Sequence, residues 1–250
     1  MKITRRGLMQ IGFAAFAGAC TSTEAEKGAG RLTARPVESK ARPAPGLHSL
    51  NLEREALLHV PENHQGALAV LLHGAGGRPD RIIMRLQHQA DAFGVALLAT
   101  KSKGQTWDAI GGTLGPDLAF LDKALRAAFG QCVVDPAHLA IAGFSDGASY
   151  AVSLGIANGD LFSHVIAFSP GFLIPLPRTG RARFFLSHGT EDPILPIDHA
   201  SRRIARELRS AGFSVEVREF EGEHTIPPDI AQEAFEWLVV KGLVSGSVSG

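Results

Sequence analysis

Cysteine is nearly absent: 250 residues hold two, Cys20 and Cys132. A fold of this length cannot rest on a disulfide framework, and the 45% of hydrophobic residues must supply a core instead. An excess of one charge is lacking as well. The 25 basic and 25 acidic residues cancel, and removal of Lys2, Arg5 and Arg6 with a leader would leave 22 against 25. Nothing in that balance attracts a nucleic acid, and none is expected as a partner. There is no G-x-x-x-x-G-K-[ST], no G-x-G-x-x-G behind a strand and no H-E-x-x-H. The ten histidines are scattered. Nucleotide cofactors and a zinc site therefore have no support, and no cofactor or metal is expected.

What is present begins with a targeting pattern. Thr4-Arg5-Arg6-Gly7-Leu8-Met9 resembles a twin-arginine export signal. The apolar stretch Ile11–Ala19 is too short to span a bilayer as a helix. Ala17-Gly18-Ala19-Cys20 resembles a bacterial lipobox, which implies cleavage after residue 19 and a lipid anchor on Cys20 at a membrane surface. The competing reading is an ordinary cleaved signal peptide with an incidental cysteine. Either way the expectation is export, to the periplasm, the cell envelope or the medium. Residues 20–45 are polar and rich in Ala, Gly, Pro, Ser and Thr, which reads as a flexible tether. The folded domain is expected over 46–241, and 242–250 as a flexible tail.

Hydrophobic periodicity orders the domain. His48–Leu52 and Glu55–Val60 suggest an edge hairpin. Ala67–Leu72, Val95–Thr100, Leu139–Ala142, His164–Phe168 and Ala182–Leu186 are short apolar runs, as strands buried on both faces require. Ser214–Phe220 alternates. Between these runs lie helical stripes at Asp80–Phe93, Asp117–Phe129, the segment following Gly147, Ile197–Ala211, and from Pro227 to about Val240. Alternating strands and helices predict an α/β fold: a mostly parallel sheet with right-handed crossovers and helices on both faces. No insertion is long enough for a large lid domain.

The chemistry-bearing residues cluster just after strands. Gly143-Phe144-Ser145-Asp146-Gly147 sits between a strand and a small-residue helix, the setting of a nucleophile elbow. Asp192 lies in the loop after Ala182–Leu186, and His224 in the loop after Ser214–Phe220. Ser145 would attack an acyl carbon, His224 would take its proton, and Asp192 would fix the imidazole tautomer. Glu191 competes for the acid role, but its spacing from His188-Gly189 and the proline at 193 favour Asp192. The glycine-rich loop His73–Gly77 leaves another strand end. An oxyanion would need two backbone N–H groups, expected from Ala75 and from Asp146. His73, Gly74, Trp107, Phe144 and Phe172 are candidates to line a substrate site. For Trp107, packing against the core is an equal alternative.

Four stretches together carry a family resemblance: Leu72-His73-Gly74-Ala75-Gly76-Gly77, Gly143–Gly147, His188-Gly189-Thr190-Glu191-Asp192-Pro193-Ile194-Leu195-Pro196, and Gly222-Glu223-His224. Over about residues 46–240 the chain resembles the phospholipase/carboxylesterase group of α/β-hydrolase serine esterases. It is also similar to dienelactone-hydrolase-like and polyhydroxybutyrate-depolymerase-like esterases. The resemblance implies an α/β-hydrolase fold that cleaves carboxylic esters through an acyl-enzyme, and without a lid-sized insertion the site is expected to be open, which favours small or short-acyl esters. It also places the triad acid at Asp192. Two departures stand out. Dienelactone hydrolases proper use cysteine where this chain has Ser145. The family often has a neutral residue after the nucleophile, whereas Asp146 brings a carboxylate that would repel a developing oxyanion unless it points away. A peptidase or amidase on the same fold, or a catalytically silent surface lipoprotein, are the alternatives. Oligomeric state is not legible.

Overall fold

The structure, a computed structural model, describes residues 30–39, 41–108 and 114–240. The leader, Cys20, Gly111-Gly112 and the 242–250 tail lie outside the described residues.

Eight strands form one open sheet: β1 (Gly46–Ser49), β2 (Ala56–Val60), β3 (Leu68–Leu72), β4 (Ala96–Thr100), β5 (Leu139–Phe144), β6 (His164–Phe168), β7 (Arg183–Gly189) and β8 (Val215–Phe220). Their spatial order is β1-β2-β4-β3-β5-β6-β7-β8. Only β1 and β2 run antiparallel to their neighbours; β4-β3-β5-β6-β7-β8 is parallel throughout. The strands are short because each apolar run ends at a glycine, proline or polar turn. β3, β4 and β6 are buried at every position.

Five helices cover the sheet: α1 (Pro79–Ala92), α2 (Pro116–Gln131), α3 (Asp146–Ala157), α4 (Ser201–Ser210) and α5 (Pro228–Val239). Successive side chains of a strand point to opposite faces, so β3 divides its residues between two cores. Leu68, Val70 and Leu72 belong to the core that also takes in Phe120, Leu121 and Leu125 of α2 and the inner sides of α3 and α4. Ala69 and Leu71 meet Ile82, Ile83 and Leu86 of α1 and Ala231, Ala234 and Phe235 of α5. Each fully buried Leu, Ile or Phe contributes about 1.5–3 kcal/mol. The sheet is thus a rigid plate whose strand ends can hold side chains in place.

Two expectations change. Helix α4 begins at Ser201 and not at Ile197, because Ile197–Ala200 turns before the helix and Ala200 has φ −110°, ψ −110°. The stretch read as tether is docked from Gly30 to Arg35. Leu32 and Ala34 are buried. Asn158 pins the strap from below: its Oδ1 accepts the Leu32 N–H at 2.8 Å and its Nδ2 donates to Gly30 O at 2.8 Å. Arg31 forks onto both oxygens of Asp160 at 2.7 Å and holds that carboxyl down at about 2. Asp122 on α2 accepts the N–H groups of Thr33 and Ala34. Composition reads this segment as solvated, but two apolar residues at i, i+2 and three polar side chains, Asn158, Asp160 and Asp122, hold it to the domain.

Candidate active site

Ser145 stands where β5 turns into α3. Its backbone is at φ 57°, ψ −120°, a conformation that costs a non-glycine residue on the order of 1–3 kcal/mol. The surroundings enforce it. A Cβ on Gly143 would lie 2.3 Å from Gly147 O, and one on Gly147 would lie 2.1 Å from Leu72 O. Strand and helix can therefore meet only where both residues lack a side chain. The Ser145 N–H is taken by Phe168 O at 2.9 Å, which ties the elbow to β6. The side chain is half-buried at the carboxyl edge of the sheet. Its hydroxyl has no hydrogen-bond partner among the described residues.

Asp192 and His224 meet at the same edge, from the loops after β7 and β8. His224 Nδ1–H donates to Asp192 Oδ2 at 2.6 Å, which leaves Nε2 as the free nitrogen of the ring. The imidazole lies 4.7 Å from the ring of Phe144, the residue before Ser145. Asp192 is 5% exposed. Burial works to raise its carboxyl, but the amides of Leu195 and Ile194 (both 2.9 Å to Oδ1) and His224 outweigh that and hold it below its usual range. A second imidazole also faces it. His188 Nε2 sits 3.1 Å from Asp192 Oδ2 and 2.7 Å from Leu195 O, while its Nδ1 accepts from Ser201 Oγ. Burial lowers the His188 pKa, so the ring is neutral, and its one proton, on Nε2, goes to Leu195 O beside the acid. Glu191 and Glu223 are exposed. Between the two candidate acids, Asp192 is the one that touches the histidine.

The loop after β3 is held by the loop after β4. Ser102 N–H donates to His73 Nε2 (3.2 Å), so the ring proton sits on Nδ1 and is donated to Gly74 O (2.7 Å). Burial lowers the His73 pKa and keeps that tautomer neutral. Trp107 Nε1 donates to His73 O (2.8 Å), Gly76 N–H to Gln105 O (2.6 Å) and Lys101 Nζ to Gly77 O (2.7 Å). Gly74 O also receives the Gly77 N–H at 2.9 Å. With that carbonyl fixed inside the loop, the trans peptide aims the Ala75 N–H the opposite way. Neither this N–H nor that of Asp146 has an acceptor among the described residues.

Asp146 carries the carboxylate that threatened this arrangement. Its Oδ2 accepts from Thr106 Oγ1 at 2.7 Å, so the side chain is tied to the loop after β4. Trp107, a candidate for lining the substrate site, serves the scaffold instead. Trp107 is 1% exposed, lies flat against Tyr150 at 5.4 Å and supports His73 from beneath. His73 is buried too, and its side chain is consumed by Ser102 and Gly74. His73, Gly74 and Phe144 do border a cavity of about 190 Å³ beside Ser145, together with Ala75, Arg81 and Arg85. Phe172 is half-buried in the loop after β6, whose backbone hangs on Ser149 Oγ, one helical turn beyond Ser145. Larger hollows of about 510 and 580 Å³ lie at the opposite end of the strands, around Gln65, Gly94 and His138 and around Pro43, Pro61 and His64. They hold no nucleophile–base pair, so chemistry and not volume selects the site.

Sequence reasoning missed four residues here. His188 was visible only as part of H-G-x-x-D-P. Thr106, Arg81 and Arg85 gave no local signal, because each matters through a contact made across the fold.

Comparison with known proteins follows this geometry. Residues 118–240 match the family model described as Phospholipase/Carboxylesterase, a span that contains Ser145, Asp192 and His224 but begins after the His73–Gly77 loop. The chain is similar to NocK of Nocardia uniformis subsp. tsuyamanensis, named as an esterase, at 29% identity over 145 residues; these are 54% of this chain and 42% of that protein. It is similar to an Aspergillus niger protein named as a feruloyl esterase C, at 26% identity over 168 residues, 62% of this chain and 60% of the other. The chain thus spans less than two thirds of either relative. In fold it is similar to the carboxylesterase from Mesorhizobium loti, with a TM-score of 0.60 and 18% identity over 78% of this chain and 100% of that one.

Proposed function

We propose that this chain, an α/β-hydrolase of the esterase group by its fold and its phospholipase/carboxylesterase match, hydrolyses carboxylic esters through an acyl-enzyme on Ser145. One observation carries the reading. A serine in a sterically enforced positive-φ elbow shares its sheet edge with a histidine bonded to an ionised, buried aspartate.

In this reading an ester carbonyl carbon approaches Ser145 Oγ. His224 Nε2 takes the hydroxyl proton as the C–O bond forms, a contribution of about 10²–10⁴ in rate. The imidazolium is stabilised by Asp192, which three donors keep ionised. The carbonyl oxygen becomes an alkoxide and receives the N–H groups of Ala75 and Asp146, each donor worth roughly 10²–10³. The tetrahedral species collapses, the alcohol leaves with the proton from His224, and the acyl group remains on Ser145. Water then repeats the sequence and releases the acid. The Ser145–His224 contact forms with substrate present, since such bonds tighten in the reacting complex.

The cavity favours small acyl groups. At about 190 Å³ it falls below the roughly 300 Å³ typical of sites for drug-sized ligands. The test is direct. A fluorophosphonate should label the wild-type protein on Ser145, and Ser145→Ala should remove both labelling and hydrolysis of 4-nitrophenyl acetate with an unchanged circular dichroism spectrum. Full activity in Ser145→Ala would sink the mechanism.

A further inference from the structure

The cavity beside the nucleophile is lined on one side by arginine. Helix α1 starts immediately behind the His73–Gly77 loop, and its residues at 78, 81 and 85 turn toward that loop and Phe144. These positions are three and four apart, so they share one helix face. Their charges are not equally spent. Arg78 is paired with Asp80 at 3.0 Å and Glu55 at 3.4 Å. Arg85 donates to the neutral Thr225 hydroxyl at 2.7 Å, and its guanidinium stands 5.6 Å from the Phe144 ring centre. Arg81 has no carboxylate within ion-pair distance among the described residues. The carboxylate nearest the nucleophile in sequence, Asp146, is tied to Thr106. The cavity therefore holds two guanidinium groups without a carboxylate, over an aromatic floor, next to the Ala75 N–H that would receive the oxyanion.

On the esterase reading above, we infer that Arg81 and Arg85 select esters that carry a second, ionised acid group close to the scissile bond. The ligand chemistry is a carboxylate on a short linker. Guanidinium groups bind carboxylates through planar paired hydrogen bonds; Arg81 and Arg85 are both exposed at the cavity mouth, so such a pair forms in contact with solvent and is screened by salt. Arg85 is already oriented by Thr225, the residue after His224, so the anion would be read against the catalytic histidine's own loop. Arg81 is the cation left for the substrate. This is a specificity role: neither arginine reaches the reacting atoms in the mechanism above.

The test compares matched esters. Mono-4-nitrophenyl glutarate against 4-nitrophenyl hexanoate places the charge on the acyl side. 4-Acetoxybenzoate against its methyl ester places it on the alcohol side. Wild-type protein should favour the anionic member of at least one pair in kcat/KM, and which pair responds tells on which side of the bond the anion sits. Arg81→Gln should lower kcat/KM for that anionic ester about tenfold more than for its neutral partner, mainly through KM, whereas Arg206→Gln on exposed α4 should leave the ratio alone. The preference should fade in high salt. Neutral esters favoured in both pairs, or Arg81→Gln lowering both members alike, would overturn the inference. So would an equal change of ratio in Arg206→Gln, since the general field of the protein would then explain it. Calorimetric binding of glutarate to Ser145→Ala protein, lost with Arg81→Gln added, reads the subsite without turnover. It thereby separates failure of this inference from failure of the esterase reading, which the fluorophosphonate reports.

Discussion

Ser145 and the His224–Asp192 pair, the proposed nucleophile and its acid–base partners, share one sheet edge, yet different forces hold them there. Ser145 is placed by exclusion. Gly143, Gly147 and the Leu72 carbonyl approach so closely that the turn has one way to run, and the strained φ of Ser145 follows. His224 and Asp192 are placed by attraction. The aspartate gathers two amides and the His224 imidazole, and each donor both orients it and keeps it charged. A half built by shape should fail all at once when a methyl group is added. A half built by hydrogen bonds should lose function in steps while the fold persists.

The largest effect is expected on the hydrogen-bonded side. Asp192→Asn should lower kcat on a short-acyl ester by about 10³–10⁴, since the amide can present its N–H to His224 and fix the wrong tautomer. Glu191→Gln, exposed one residue away, should stay within about twofold. Steady-state kinetics of the two variants decide the acid, and the opposite order would move it to Glu191. The next effect is on stability. Gly147→Ala places a carbon 2.1 Å from Leu72 O and 2.5 Å from His73 O, and should cost more than about 4 kcal/mol in a urea titration. An unchanged midpoint would mean that the elbow is not held by exclusion. The smallest effect sharpens the boundary between the halves. Thr106→Val frees the Asp146 carboxylate beside the expected oxyanion donor and should lower kcat about tenfold with little change in KM. Adding Asp146→Asn should restore most of the loss. If the double variant stays as slow as the single one, Thr106 acts on packing and not on charge.

Most of the architecture was legible because the strands are apolar runs bounded by turn residues. His164–Phe168 was read to the residue, and β3, β4 and β8 each began one residue later than expected. The order and loop placement of Ser145, Asp192 and His224 were legible for the same reason, since a strand's end fixes where the following loop starts. What lay beyond reading is long-range. Trp107 looked like a loop aromatic free to meet substrate, but its indole N–H reaches back to His73 O and its face to Tyr150. Asp146 looked like a liability until Thr106, forty positions earlier, took its charge. The strap from Gly30 hid its two buried side chains, Leu32 and Ala34, in a composition that otherwise suits solvent.

That strap has a mechanical meaning. Tension applied to the chain ahead of Gly30 is met first by Asn158, Asp160 and Asp122, well before it can reach β1 at the rim of the sheet. The latch is small: it yields by breaking a few hydrogen bonds and pulling Leu32 and Ala34 out of the core, after which the chain up to β1 follows as slack. Only then would a pull begin to peel β1 from β2. The domain therefore carries a fuse ahead of its edge strand, and the sheet edge that carries Ser145, Asp192 and His224, built on the central and far strands, lies beyond the last link to be loaded.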